Sequence, residues 1–208
     1  MIVISTKYTD RLILKDCLER ICEFYPNEKV VIVDSNSKDM SFIHSVDVFD
    51  KIYNNLNYDT GAYYKAFIKY PNEPHYMFIH DSLMINKFYD FSSIDLKPIR
   101  HFRIQEDSTS DFTRHICSTI GIEYEYCYGC FGPMFISNNE IAHNTFVKLT
   151  TSILPSNKIE AMAYERIFGL IFKSLGKEIT SSFQGEHIID PYGPFDETYF
   201  SKIYLNRQ

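Results

Sequence analysis

Three short apolar runs, each ending abruptly in polar residues, constrain the fold more than any other feature of the sequence. Residues 2–5 run into Thr6, residues 29–33 into Asp34, and residues 76–79 into His80, Asp81 and Ser82. Runs of this length, rich in branched and aromatic residues, predict buried strands. Residues 10–22 carry apolar side chains at helical spacing, with Thr9 as the expected cap, so residues 2–34 predict a strand–helix–strand unit. The carboxyl ends of such parallel strands form one sheet edge, which is where ligands bind in open α/β sheets.

The remaining segments complete a mixed α/β chain. We expect a short or irregular third strand within residues 46–53, a helix within residues 59–68 that stops before Pro71, and a strand broken by glycines within residues 123–136. A capping box at residues 137–140 predicts a helix to about Leu149, and Asn157 begins a long amphipathic helix that ends at Gly176. Residues 95–114 are polar and irregular, and they predict a long loop that serves either as a lid or as a segment without function.

The composition excludes several classes of protein. The formal net charge is −6 and no Lys/Arg cluster is present, so we expect no nucleic-acid partner. No stretch approaches the roughly 20 apolar residues of a membrane span, and the first residues lack the basic start of a signal peptide. The odd number of cysteines, 5, favours reduced thiols and a cytoplasmic location. Because Trp is absent, any stacking on a base or sugar falls to Tyr or Phe.

Individual residues at the predicted edge allow more than one interpretation. The carboxylate of Asp81 suits Mg²⁺ or Mn²⁺ held against a diphosphate, or it caps the next segment. Gly61, near a helix start, permits close approach of a phosphate, or it only packs the helix against the sheet.

Cys127 and Cys130 form a single C-x-x-C pair, which by itself is a weak zinc signal.

The order and spacing of these segments resemble the nucleotide-sugar glycosyltransferases of the GT-A type. Residues 31–39, VIVDSNSKD, are similar to the VVDNGSTD segment of that family. Residues 57–67, followed by His80, Asp81 and Ser82, resemble the N-x-D-x-G-x-(Y/W)-K and NDS motifs of polysaccharide rhamnosyltransferases. Residues 129–135 are similar to the family's Gly-rich acceptor-side strand, and residues 163–169 to the helix after it. The resemblance covers roughly residues 1–190, and it extends to glycosyltransferase domains of large algal-virus proteins.

The resemblance implies one GT-A-like, Rossmann-like domain over residues 1–208, with a mixed central sheet flanked by helices. Its nucleotide-binding half would be about residues 1–95, and its acceptor-side half about residues 96–208. The implied activity is metal-dependent transfer of a sugar from a UDP-sugar to a glycan acceptor, with Mn²⁺ or Mg²⁺ as cofactor. Rhamnose is the first choice of donor sugar, and glucose or galactose the second. If the protein is viral, its location would be the host cytoplasm.

The resemblance also implies roles for named residues. Asp34 would contact the nucleoside, Tyr8 would stack on the base, and Asp59 would bind ribose, sugar or a basic neighbour. The other donor-side residues implied are Thr6, Asn57, Gly61 and His80.

One departure from the family concerns the metal. The usual Asp-x-Asp is reduced to Asp81, with Ile79 and Leu83 two residues to either side. His187 is the candidate that would complete the metal site.

The catalytic base is Glu165 or Glu160 if the enzyme inverts the anomeric centre, and a retaining enzyme would need no such base. The rival interpretations are a non-catalytic nucleotide-sugar-binding module and a metal-dependent phosphohydrolase. The sequence does not predict an oligomeric state.

Overall fold

A mixed sheet of six strands forms the centre of the computed structural model, which describes residues 1–6, 11–150, 153–187 and 196–202, without the side chain of Arg11. The strands of this sheet and of two smaller pairs are β1 (Ile2–Thr6), β2 (Val30–Asp34), β3 (Asp50–Ile52), β4 (His75–His80), β5 (Leu83–Ile85), β6 (Leu96–Pro98), β7 (His101–Arg103), β8 (Tyr128–Cys130), β9 (Phe135–Asn138) and β10 (Phe200–Lys202). The helices are α1 (Arg11–Phe24), α2 (Ser41–Ser45), α3 (Tyr58–Lys69), α4 (Ser110–Thr119), α5 (Asn139–Phe146) and α6 (Lys158–Ser174).

The strand order of the central sheet is β3-β2-β1-β4-β9-β6. Strands β1 to β4 run parallel, and β9 is antiparallel to both of its neighbours. The order 3-2-1-4 of the parallel part is that of a Rossmann-like half. The predicted α/β class, a mixed central sheet flanked by helices, is confirmed.

Hydrophobic cores lie on both faces of this sheet, which explains why its parallel strands are continuous apolar runs. Alternate strand residues such as Val3, Val33 and Phe78 pack with α3, α4, α5 and α6 on one face. Their neighbours Ile4 and Ile79 pack with α1 on the other. The strand ends are therefore fixed from both sides.

The prediction of a loop over residues 95–114 is wrong, because this segment contains β6, β7 and the start of α4. Its strands have only three residues each, and two of its polar side chains, Arg100 and His101, are buried. Local hydropathy assigns such residues to the surface. Pairing of β7 with β8 and of β6 with β9 decides their structure, and both partners are distant in sequence.

The other predicted elements are present with altered limits. The strand expected within residues 123–136 is two strands, β8 and β9, separated at Gly132, whose φ of 64° requires glycine. The pair β5–β10 and the short helix α2 were not predicted. The expected cap at Thr9 lies outside the described residues.

In the described ranges, none of the helices has both the length and the apolar character needed to cross a membrane.

Candidate functional site

The site begins at the carboxyl edge of β1, β2 and β4, at the point where the strand order reverses. The chain passes from β1 to β2 on one side, and β4 lies on the other side of β1. Such a switch point opens a crevice outside the strand ends. Thr6 pairs with Asp34 across β1–β2, and Ser5 pairs with His80 across β1–β4.

The carboxylates of Asp34 and Asp81 face the same side of this edge. Side chains alternate along a strand, and the residues two positions earlier, Ile32 and Ile79, both belong to the core on the α1 face. Thr6 lies between the two acids: its Oγ1 donates to Asp81 Oδ2 at 2.5 Å, and it is the register partner of Asp34. Strand alternation and register therefore place both acids at the same edge, on either side of Thr6.

Asp34 is almost fully buried and organises the turn that follows it. Its carboxylate accepts the backbone N–H groups of Asn36 at 3.0 Å and of Ser37 at 3.1 Å. This is an Asx turn, and Asn36 adopts a φ of 71° within it. The turn fixes the orientation of the carboxylate, and the predicted contact with a nucleoside stays a prediction.

Asp59, Ser5 and His80 form a second polar group, on the α3 side of the edge. Ser5 Oγ donates to Asp59 Oδ1 at 2.7 Å, and His80 Nε2 lies 3.2 Å from Asp59 Oδ2. Burial raises the pKa of Asp59, but the attraction of His80 and the Ser5 hydrogen bond outweigh it and lower this pKa to about 2. Asp59 is thus a carboxylate at neutral pH, with His80 as its basic neighbour.

Asn57 and Gly61 are held by contacts within the protein. Asn57 Nδ2 donates to the carbonyl oxygen of Pro155 at 3.0 Å. A Cβ on Gly61 would lie 2.3 Å from Asn57 Cβ and 2.6 Å from Asn55 Oδ1, so glycine is required there for packing. The fully buried Asn55, whose Nδ2 donates to Ser35 Oγ at 2.7 Å, was missed by the sequence reasoning because it stands in an unpatterned polar run. Donor contacts of Asn57 and Gly61 stay predictions.

A cavity of about 440 Å³ lies beside this edge. It is lined by aromatic rings and by charged side chains: Phe102, Arg103, Gln105, Glu106, Asp107, Phe131, Met162, Glu165, Arg166, Glu186 and His187. Arg166 is buried, pairs with Asp107 and lies over the Phe102 ring. Aromatic faces beside carboxylates are a surface that suits a polyhydroxylated ligand.

Glu165 is the carboxylate at the cavity wall with the properties of a base. Its Oε1 accepts the N–H of Gly132 at 3.1 Å. Burial raises the pKa of Glu165 to about 6, although the Gly132 hydrogen bond and the nearby Arg166, Lys202 and His80 partly offset burial. A carboxylate with this pKa is mostly ionised at pH 7 and can still accept a proton.

The other candidate base, Glu160, has a structural role at the start of α6. Its Oε2 accepts both the N–H and the hydroxyl of Ser156 at 2.7 Å, while its own N–H bonds to Asn157 Oδ1. These bonds are a capping arrangement. Glu160 does not line the cavity, so the geometry favours Glu165.

The metal role predicted for Asp81 and His187 stays a prediction that the described residues do not test. Among them, no group of three His, Cys, Asp or Glu side chains lies together as metal ligands would. Nδ1 of His187 contacts the guanidinium of Arg100, and the pKa of His187 is lowered by burial and then by that positive charge. A cation beside His187 disfavours a metal ion at that side chain, whereas Asp81 can still hold Mn²⁺ or Mg²⁺ together with the phosphate oxygens of a donor.

The Cys127–Cys130 pair has the properties of two buried thiols. Cys130 Sγ donates to the Met134 carbonyl at 3.1 Å, and burial raises the pKa of Cys127 to about 12. Zinc binds the thiolate, which such burial disfavours.

Lys202 is a residue of the site that no motif in the sequence indicates. Strand β10 pairs with β5 so that Lys202 stands opposite Leu83, two residues after Asp81. Its Nζ lies 5.7 Å from the centroid of the Phe131 ring, at the cavity. Only the long-range pairing of a three-residue strand reveals this position, and no local pattern could have found it.

Tyr8 lies outside the described residues, so its predicted stacking on a base stays a prediction.

No protein-family model and no curated protein sequence matches the chain. Among solved structures, one similar fold is CMP:2-keto-3-deoxy-manno-octonic acid synthetase complexed with CTP, with 12% identity over 90% of this chain and 88% of that chain and a TM-score of 0.49. Another is the apo structure of the WbbM bifunctional glycosyltransferase, with 9% identity, 79% of this chain covered and a TM-score of 0.40. The match spans only 36% of the WbbM chain.

Proposed function

We propose that the protein is a glycosyltransferase that moves a sugar from a nucleoside-diphosphate sugar to a glycan acceptor. The observation that carries this proposal is the placement of Asp34 and Asp81 at one switch-point edge, where Thr6 is hydrogen-bonded to Asp81 and is the register partner of Asp34. Next to this edge is a cavity that contains a carboxylate suited to take a proton. A donor site beside an acceptor site with a base is what such a transfer requires.

In this proposal Asp34 and Asp81 bind different parts of the donor. Asp34 accepts hydrogen bonds from the nucleoside, and Asp81 holds the donor near the sugar. Burial raises the pKa of Asp81, as does the charge of Asp59, while Thr6 and His80 offset only part of that rise. A ligand that donates hydrogen bonds or brings positive charge therefore stabilises the ionised form of Asp81.

The acceptor lies in the cavity, where Glu165 takes the proton of its attacking hydroxyl. The acceptor oxygen bonds to the anomeric carbon as the bond from that carbon to the diphosphate oxygen breaks. The leaving oxygen keeps the electron pair. This assignment of Glu165 corresponds to an inverting reaction.

The donor in this proposal is a UDP-sugar. Rhamnose is the first choice and glucose or galactose the second, because the spacing of residues 57–82 resembles that of rhamnosyltransferases. Mn²⁺ or Mg²⁺ is the cofactor in this proposal, and donor binding is therefore measured both with and without it.

Calorimetry with UDP-sugars tests the proposal, using wild type, Asp81→Ala and the exposed-surface control Asp16→Ala. With Mn²⁺, and separately with EDTA, we expect Asp81→Ala to lose at least roughly tenfold in donor affinity while remaining folded, since one charge-assisted contact is worth about 1.5–3 kcal/mol. Asp16→Ala should bind as the wild type does. Unchanged affinity in Asp81→Ala would remove the basis of the proposal.

Slow release of UDP from the donor by the wild type separates catalysis from the rival functions. Binding without any turnover would indicate a nucleotide-sugar-binding module. Hydrolysis of simple phosphate esters would indicate a phosphohydrolase.

A further inference from the structure

We propose that Lys202 binds the diphosphate of the donor and stabilises the negative charge on the departing nucleoside diphosphate. This inference rests on the proposed glycosyl transfer and assigns its leaving-group step to a residue of the C-terminal strand.

Strand β10 is anchored firmly enough to place a side chain. Phe200 is fully buried, with its ring centroid 4.9 Å from that of Phe183. Gln184 Nε2 donates to the Phe200 carbonyl at 2.9 Å, and the ladder with β5 sets Lys202 opposite Leu83. A strand fixed by a buried ring and a ladder places the residue two positions later, on the same face as that ring, at a defined position.

Lys202 lies at the junction of the donor edge and the cavity. A Cβ on Gly132 would lie 3.4 Å from His80 Cε1 and 3.5 Å from Lys202 Nζ, so imidazole and ammonium converge on this glycine. The neighbouring Phe131 lines the cavity, and Gly132 N–H bonds to Glu165. The reacting anomeric carbon must lie between diphosphate and acceptor, and Lys202 stands where those two meet.

The acidic character of the edge favours a cation at this junction when a diphosphate binds. Asp34, Asp59, Asp81 and Glu165 are acidic, and a diphosphate adds further negative charge. The described residues offer no three-residue metal ligand set that would neutralise it. His80 is already placed 3.2 Å from Asp59. The Lys202 ammonium has three donors on a flexible stem and binds phosphate as a point charge.

The step itself requires no proton from Lys202. As the bond between the anomeric carbon and the diphosphate oxygen breaks, the electron pair remains on that oxygen. The ammonium donates hydrogen bonds to the diphosphate and keeps its proton. The acceptor's proton goes to Glu165. Stabilisation of charge that develops on the leaving group lowers the barrier, so Lys202 acts on turnover as well as on binding.

The test compares wild type, Lys202→Met, Lys202→Arg and the control Lys87→Met. Lys87 is an exposed lysine two residues after the end of β5, with its Nζ 5.5 Å from the centroid of the Tyr199 ring, so its replacement removes the same charge nearby. Affinities for UDP and UMP, and for the cytidine, guanosine and thymidine pairs, are measured by calorimetry in EDTA and in Mn²⁺. We expect Lys202→Met to weaken diphosphate binding about 10–100-fold and monophosphate binding less than about threefold.

Lys202→Arg should recover most of the diphosphate affinity, and Lys87→Met should match the wild type. Where donor turnover is measurable, Lys202→Met should lower kcat about 100-fold or more. If Lys202→Met proves unstable by circular dichroism, Lys202→Gln takes its place with the same expectations.

The outcomes distinguish the two proposals. If the wild type binds no nucleoside diphosphate in either condition, the proposed function fails and this inference fails with it. If the wild type binds a diphosphate and Lys202→Met retains the same preference over the monophosphate, the inference is overturned while the proposed function stands. A preference that appears only with Mn²⁺ and persists in Lys202→Met would assign the charge compensation to the metal instead.

Discussion

At the scale of single residues, the site depends on two carboxylates, Asp59 and Glu165, to which burial and neighbouring groups give different pKa values. Both Asp59 and Glu165 lose solvent on folding, which raises the pKa of each. His80 and Ser5 more than compensate at Asp59, whereas the neighbours of Glu165 compensate only in part. Asp59 therefore stays charged and holds its neighbours in place, and Glu165 becomes the group able to exchange a proton near neutral pH.

Replacement of Glu165 by Gln tests the base directly. The amide can still accept the Gly132 N–H, so the fold should persist while the proton acceptor is lost, and we expect kcat to fall by roughly 10²–10⁴ with donor affinity little changed. Glu165 must be ionised to accept a proton, so wild-type kcat should rise with pH through about 6 and then level off. Steady-state kinetics between pH 5 and 8 measures both effects. A pH profile with the same rise in Glu165→Gln would assign that titration to another group.

At the scale of elements, α6 positions Glu165 because it packs directly on the backbone of β8. A Cβ on Gly169 would lie 2.1 Å from the Tyr128 carbonyl oxygen and 2.9 Å from Gly129 Cα. Backbone atoms cannot move aside as a flexible side chain can. The absence of a side chain at Gly169 is therefore what allows the helix to approach the strand and bring Glu165 to Gly132.

Gly169→Ala should for this reason destabilise the protein by about 3 kcal/mol, the upper end of the usual cost of overpacking, because the neighbouring atoms are backbone. The matched control is Gly176→Ala, just after α6, where a Cβ meets nothing within 4 Å and only the φ of 71° is unfavourable. We expect that variant to lose about 1 kcal/mol. Urea unfolding followed by circular dichroism measures both. Equal losses in the two variants would mean that α6 can shift away from β8 at little cost.

The elements also show why the sequence predicts one part of the site and not the rest. Strands β1, β2 and β4 are buried on both faces, so their apolar runs and polar ends are visible locally, and Asp34, His80 and Asp81 were found in this way. By contrast, Lys202 reaches the site through a three-residue strand whose partner β5 lies far away in sequence. Such short elements are defined by long-range pairing, which a single sequence does not display.

At the scale of the whole molecule, the central sheet separates two cores and leaves one edge for chemistry. Helices on both faces hold the strands, while the carboxyl ends of β1, β2 and β4 stay at the crevice. The C-terminal strand β10 closes onto β5 beside the same edge. Segments that are far apart in sequence thus meet at one place, and a ligand bound there should stabilise all of them together.

Hydrogen exchange with and without a nucleoside diphosphate checks this arrangement. We expect slower amide exchange in peptides covering residues 34–37, 81–85 and 200–202, because the ligand lies against the ends of these strands and binding suppresses local opening. The internal control is the opposite edge, at residues 26–29 and 71–75, where exchange should not change beyond the general stabilisation. At a ligand concentration of about 100 times Kd, that general effect is about 2.7 kcal/mol. Protection concentrated at residues 26–29 and 71–75 would place the ligand at the wrong end of the sheet and contradict the proposed site.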